Sequence, residues 1–128
     1  MEVYAARPSG IIYFPIIKKI KKNISPEDIL NVAKRTAKHG IGSFFTFMMG
    51  FPDETPEELE KTFNLVDEIR EVNPKAQVSD FKILTPYPGS QFYDEAIKLG
   101  FKPPEKLEEW SEYYWNKAKL PWLKDKTK

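Results

Sequence analysis

Between residues 25 and 100 the chain alternates amphipathic stretches with nearly continuous apolar runs, and turn residues separate the two. Ser25-Pro26-Glu27-Asp28 has the features of a helix start: Ser caps, Pro fits the first turn, and the acids meet the positive helix end. Ile29, Ala33 and Ala37 keep helical spacing, and Gly40 is a natural terminator. Ser43-Phe44-Phe45-Thr46-Phe47-Met48-Met49 follows, the pattern of a strand covered on both faces, as in parallel sheets. After the turn Gly50 to Glu54, Thr55-Pro56-Glu57-Glu58 predicts a capping box with Pro at the first helical position. The next helix sets Leu59, Phe63, Val66 and Ile69 on one stripe and stops at Asn73-Pro74.

A further strand spans about Val78 to Leu84 and breaks at Thr85-Pro86-Tyr87-Pro88-Gly89. Ser90 is placed to cap a short helix with Phe92, Ala96 and Leu99 inward, ending at Gly100. Beyond Pro103-Pro104 a last helix aligns Leu107, Trp110, Tyr114 and Ala118. Upstream, Gly10 to Phe14 is apolar enough for a strand, with a short Ile16/Ile17/Ile20 helix after it. Strands alternating with helices imply parallel pairing through crossovers. The expected fold class is therefore α/β: repeated β-α units forming a parallel half-barrel or an open sheet, plus a C-terminal helix. In both arrangements ligands bind beyond the carboxyl ends of the strands. Those ends are the two turns, Gly50 to Glu54 and Thr85 to Gly89.

Composition narrows the chemistry. At 128 residues this is one domain, well short of the ~250 residues of a complete eightfold barrel. It divides into a divergent segment 1–24, β/α units over 25–101, and a helix and tail over 102–128. There is no cysteine and one histidine, His39. This chain alone therefore supplies no thiolate zinc site, cysteine nucleophile or cysteine-held iron–sulfur cluster. His39, beside Gly40, fits an exposed helix cap better than a base. No apolar run reaches the ~18 residues of a membrane span, and no secretory leader is visible, so no membrane role and a cytoplasmic location are expected.

Net charge is +1, which gives no general pull toward nucleic acid. Residues 1–38 carry eight basic against three acidic residues, residues 39–74 two against eight, and residues 75–128 ten against eight. The cluster Lys18, Lys19, Lys21 and Lys22 fits a solvated helix face, and nucleic-acid binding through it is the weakest reading.

The two turns carry a resemblance. Phe47-Met48-Met49-Gly50-Phe51-Pro52-Asp53-Glu54-Thr55 is similar to the fifth-strand motif of the radical S-adenosylmethionine superfamily, in its cobalamin-binding-domain branch; there a hydrophobic strand ends in Gly-x-Pro-Gly-Glu-Thr. Thr85-Pro86-Tyr87-Pro88-Gly89-Ser90 resembles the sixth-strand Pro-Tyr-Pro-Gly-Thr motif, and Tyr93, Ala96 and Gly100 match the pattern downstream. The resemblance runs from about Lys21 to Gly100. It departs at Asp53 (usually Gly) and Ser90 (usually Thr). The fourth-strand Glu-Ser-Gly-Ser motif has only a faint echo in Pro8-Ser9-Gly10, and the cysteine motif is missing.

The resemblance implies the later strands of a partial TIM-like barrel whose complete members hold a four-iron cluster and S-adenosylmethionine across the strand tops. The cofactor contacts it implies are Phe47, Met49, Gly50, Phe51 and Pro52 near the adenine, with Gly50 allowing backbone approach. It further implies that Glu54 bonds the loop or helix start, and that Pro86, Pro88 and Gly89 shape the sixth-strand end. No catalytic or metal-binding residue is implied here. The plain alternatives are core packing for Met48 and Met49, rigid turns for the prolines, and a helix-end carboxylate for Glu54. Trp110, Tyr113, Tyr114 and Trp115 fit packing on the sheet better than a stacking platform.

The leading reading is thus a truncated radical S-adenosylmethionine-type domain, not catalytic by itself. Its open sheet edges call for a homodimer or a separate cluster-bearing chain. Two alternatives stay open: the substrate-side half of a split enzyme completed by that partner, and a module binding a nucleoside or S-adenosylmethionine.

Overall fold

Both long helices begin with the same device. The computed structural model describes residues 23–113, 117 and 119–123. In α1 (Pro26–Lys38) the Ser25 hydroxyl accepts the Asp28 N–H at 3.1 Å, and Asp28 Oδ2 accepts the Ser25 N–H at 2.7 Å. In α2 (Pro56–Val72) Thr55 and Glu58 exchange the same pair at 3.2 and 2.9 Å. Each box satisfies helix-start donors that have no partner within the helix.

The end of α1 is a Schellman turn. Gly40, at φ +67°, donates to the Ala37 carbonyl at 3.0 Å, and Ile41 donates to Thr36 at 2.9 Å. The short helix α3 (Tyr93–Lys98) ends likewise: Gly100, at φ +91°, donates to Ile97, and Phe101 donates to Ala96. That turn corrects one expectation. It carries Phe101 inward, to 3% exposure, while Leu99 stays 46% exposed. The start of α3 also differs, because Phe92 stands at its N-cap with no side-chain cap, and Ser90 belongs to the preceding turn.

Four two-residue strands form parallel pairs. β1 (Phe44–Phe45) pairs with β3 (Gln77–Val78), and β2 (Met48–Met49) pairs with β4 (Lys82–Ile83). Neither expected strand is continuous. The carbonyls of Ser43, Phe45, Phe47 and Met49 accept in turn from the N–H groups of Gln77, Ser79, Lys82 and Leu84, all within 3.0 Å. One side of this ladder advances by two residues at every step; the other advances by three between Ser79 and Lys82. One extra residue is therefore bulged out there. The bulge re-aims the side chains. Regular alternation from Val78 would turn Asp80 toward the helices, whereas Phe81 packs there and Asp80 is exposed.

One core lies between helices and sheet, built from Ile29, Ala33, Phe45, Phe47, Leu65, Val66 and Ile69. The buried stripe of α2 is Thr62, Leu65, Val66 and Ile69, rotated from the expected one. Phe63 is 45% exposed and rests on the Phe81 ring, 4.9 Å between centroids. On α1, Thr36 is buried and Ala37 only half-buried.

Beneath this core Asn73, 1% exposed, ties three elements together. Its amide donates to Thr36 Oγ1 at 3.1 Å and Ser43 Oγ at 3.2 Å, while its Oδ1 accepts the Lys75 N–H at 3.1 Å. The Lys75 contact fixes which way the amide points, since a main-chain N–H requires an oxygen acceptor.

Past Pro103-Pro104 the chain forms 3-10 turns over Leu107–Glu112 and Pro121–Leu123 rather than a long α-helix. Leu107 is 84% exposed, a second departure from the expected stripe, whose members Tyr114 and Ala118 lie outside the described residues. The expected first strand and helix, the Lys18–Lys22 cluster and Pro8-Ser9-Gly10 also lie outside them. Among the described residues no helix is long and apolar enough to cross a membrane.

Candidate functional site at the strand ends

The two proline-and-glycine turns leave the carboxyl ends of neighbouring parallel strands. Met49 pairs with Ile83, and the Leu84 N–H reaches the Met49 carbonyl at 2.8 Å, immediately before the two turns begin. Gly50 opens the first turn with φ +88°, a conformation that favours glycine.

Glu54 closes that turn. Its Oε2 accepts the Gly50 N–H at 2.8 Å, and its own N–H donates to the Phe51 carbonyl at 3.2 Å. The carboxylate is 8% exposed, so it lies beneath the corner rather than projecting from it. This bond holds the corner against the strand end. The sequence reading allowed Glu54 to bond the loop or the helix start, and the bond found here is to the loop.

Phe51, 3% exposed, clamps the two turns together. It packs with Met48, Leu84 and Phe92, and its ring meets Phe92 edge-on at 5.2 Å and 74°. In the second turn the Pro86 side chain is buried, whereas Tyr87, Pro88 and Gly89 stand exposed. Gly89, at φ +83°, has open space where a Cβ would lie. Tyr87 leans over the chain's later part, its ring 5.5 Å from Trp110 and its hydroxyl donating to the Tyr113 carbonyl at 3.2 Å.

The nine residues singled out from the sequence therefore divide. Gly50, Phe51 and Glu54 form one bonded corner, joined by apolar contact through Leu84 to the strand that leads into Pro86. Met49 and Pro52 are half-buried beside it. Pro88 and Gly89 form the outer tip of the second turn. Phe47 does not reach the corner: its side chain is 1% exposed in the helix-facing core, stacked on Phe81 at 5.4 Å, and only its carbonyl joins the ladder. The cause is strand alternation, which sends Phe45 and Phe47 to the helices and Met48 to the opposite side.

Sequence reasoning missed what rests on Gly50. The turn Pro121–Leu123 lies over it: Trp122 Nε1 donates to the Gly50 carbonyl at 2.8 Å. A Cβ on Gly50 would stand 3.2 Å from Ile83 and 3.6 Å from a Leu123 methyl. As arranged, the corner has no space for a ligand ring against the Gly50 backbone. Trp122 carries no motif and lies 72 residues away, so no local pattern signals the contact.

Chemically, the corner offers backbone groups and one carboxylate already bound to a main-chain N–H. Among the described residues no three of His, Cys, Asp and Glu gather as a metal site.

No protein-family model matches the chain. It is 34% identical over 82 residues to an uncharacterized methyltransferase of Pyrococcus horikoshii, which covers 64% of this chain and 17% of that protein. It is 32% identical over 77 residues to a tRNA-2-methylthio-N(6)-dimethylallyladenosine synthase of Ehrlichia ruminantium, covering 59% of this chain and 16% of the enzyme. An uncharacterized protein of Methanocaldococcus jannaschii is 32% identical over 84 residues, 65% of this chain and 19% of that protein. The chain thus spans less than a fifth of the length of these curated relatives. At this coarse level, it is similar to proteins named for methyl and methylthio transfer.

Proposed function

We propose that this chain is the later β/α portion of a radical S-adenosylmethionine domain, and that its strand-end corner is one wall of that domain's cofactor cleft. The observation that carries this reading is the placement of two motif-bearing turns side by side at the ends of parallel strands. Open α/β sheets and barrels bind ligands at such ends. The likeness to proteins named for methyl and methylthio transfer supports the same reading.

With no cysteine among these 128 residues, a cluster would need thiolates from outside them. A separate cluster-bearing chain is the form of that supply the proposal takes. No chemical step is assigned to this chain's own residues. Glu54 and Phe51 shape the wall, and Gly50, without a Cβ, is the point at which a ligand would approach the backbone once Pro121–Leu123 is displaced. The cobalamin branch is the finer form of the proposal, carried by the two turn motifs.

Calorimetric titration with S-adenosylmethionine, alone and with the cluster-bearing chain, tests the proposal. Saturable heat is expected, strengthened by the partner. Absence of heat in both titrations would remove the cofactor reading.

A further inference from the structure

The strand-end corner has an occupant of its own. Leu120, 1% exposed, anchors the tail in a cluster with Ala96 and Phe101, against which Ile83, Tyr93, Trp110, Tyr113, Trp122 and Leu123 pack. From that anchor Pro121–Leu123 turns back across Gly50. Glu112 and Lys119 fasten the approach with a bond of 2.7 Å between Oε2 and Nζ.

The Gly50 backbone is consequently engaged on both sides. The Gly50 N–H is held by Glu54, its carbonyl by the Trp122 indole, and its bare Cα faces Ile83 and Leu123. A glycine conformation that would let a ligand approach here lets a segment of the same chain approach instead. The occupant is also chemically apt, since the indole is a flat heteroaromatic ring presenting an N–H donor to a main-chain carbonyl. The exocyclic amine of adenine offers the same donor on a similar ring.

We infer that the turn Pro121–Leu123 is an internal strap that competes with an adenine-type ligand for the Gly50 corner and must leave before that ligand enters. This deepens the proposed function and rests on it for the ligand's identity. The strap meets Gly50 through the Trp122 hydrogen bond and a Leu123 methyl, and both side chains also pack on the cluster around Leu120. A site closed by its own chain binds more weakly by the fraction of time it stands open. A strap shut nine-tenths of the time weakens binding about tenfold.

The experiment compares wild type, Trp122→Phe and Trp122→Ala, each confirmed as folded by thermal unfolding, in titrations with S-adenosylmethionine and with adenosine. Trp122→Ala is expected to bind about tenfold more tightly than wild type. Trp122→Phe, which keeps a ring but loses the donor, should fall between them. In wild type the Trp122 indole proton, assigned by its loss in Trp122→Phe, should resist solvent exchange in the free protein and lose that protection at saturation. Equal affinities in all three proteins, with the indole still protected in the liganded state, would overturn the strap and leave the ligand site standing. No binding by any of the three would remove the ligand reading, and the strap as its competitor with it.

Discussion

Gly50 is under two demands at once, a left-handed backbone and a filled space beside its Cα. Gly50→Ala fails both. The conformation alone costs about 1–3 kcal/mol for a residue with a Cβ, and the new methyl would stand 3.2 Å from Ile83. A lower denaturant midpoint with unchanged slope is expected. Gly89, at φ +83° but with open space around it, separates the two causes, since Gly89→Ala carries the backbone strain alone. Asn73 tests a different physics. Asn73→Ala strips partners from the buried hydroxyls of Thr36 and Ser43 and from the Lys75 N–H. Thr36 keeps its bonds to the Val32 and Ala33 carbonyls, so the loss is that of the amide's own bonds, about 0.5–1.5 kcal/mol each, and over three of them this substitution should exceed Gly89→Ala in the same assay. A smaller loss would mean that water enters and replaces the amide.

Among the elements, the two long helices start where their local signals put them, whereas the strands, the start of α3 and the last helix do not follow theirs. Ser25-Pro26 and Thr55-Pro56 dictate their helix starts through donors only a few residues away, and Gly40 and Gly100 fix the ends by handedness, so all four boundaries are readable from the chain. The ladder is set by register. Whether Val78 to Leu84 pairs straight or with a bulge depends on which side chain must reach Phe47, and that is Phe81 rather than Asp80. The same limit applies to the corner. Gly50, Phe51, Glu54 and Pro86 are visible as a turn motif, but Trp122 meets them only through the tertiary path of the tail. The α1 start also makes a pH prediction. Hydrogen bonds from the Ser25 N–H and then its hydroxyl hold the Asp28 carboxyl below its ordinary value. A folded-state value below the unfolded one means the stabilisation is present above the unfolded carboxylate's pKa and lost as pH falls through the folded one. Wild type should therefore lose stability on acidification below about pH 4. In Asp28→Asn the part of that loss due to this carboxylate should be gone. Parallel acid-melting curves for the two proteins would contradict the assignment.

For the whole molecule the question is what meets the sheet. Among the described residues β1 and β2 pair only with β3 and β4, two short parallel pairs in line across the bulge, with α1 and α2 packed on one core and α3 packed against Ile83. A parallel pair so short is seldom left with both edges free, which supports the proposal of a homodimer or a cluster-bearing companion. Sedimentation at micromolar concentration is expected to show a dimer for the chain alone. A monomer that forms a one-to-one complex with the companion would replace the homodimer by the split assembly. A monomer indifferent to the companion would end both forms of the proposal.

The Asn73 knot sits at one end of the ladder and the tail at the other, and their fastenings differ in kind. Amide protons near Ser43 and Gln77 lie behind a web of buried side-chain bonds, so their exchange with deuterium should require opening of the whole domain. Those near Met49 and Leu84 lie under the turn proposed as a strap, whose release would expose them without opening of the whole domain. Rates should therefore quicken from the knotted end to the strapped end, giving this small sheet a firm root and a yielding crown.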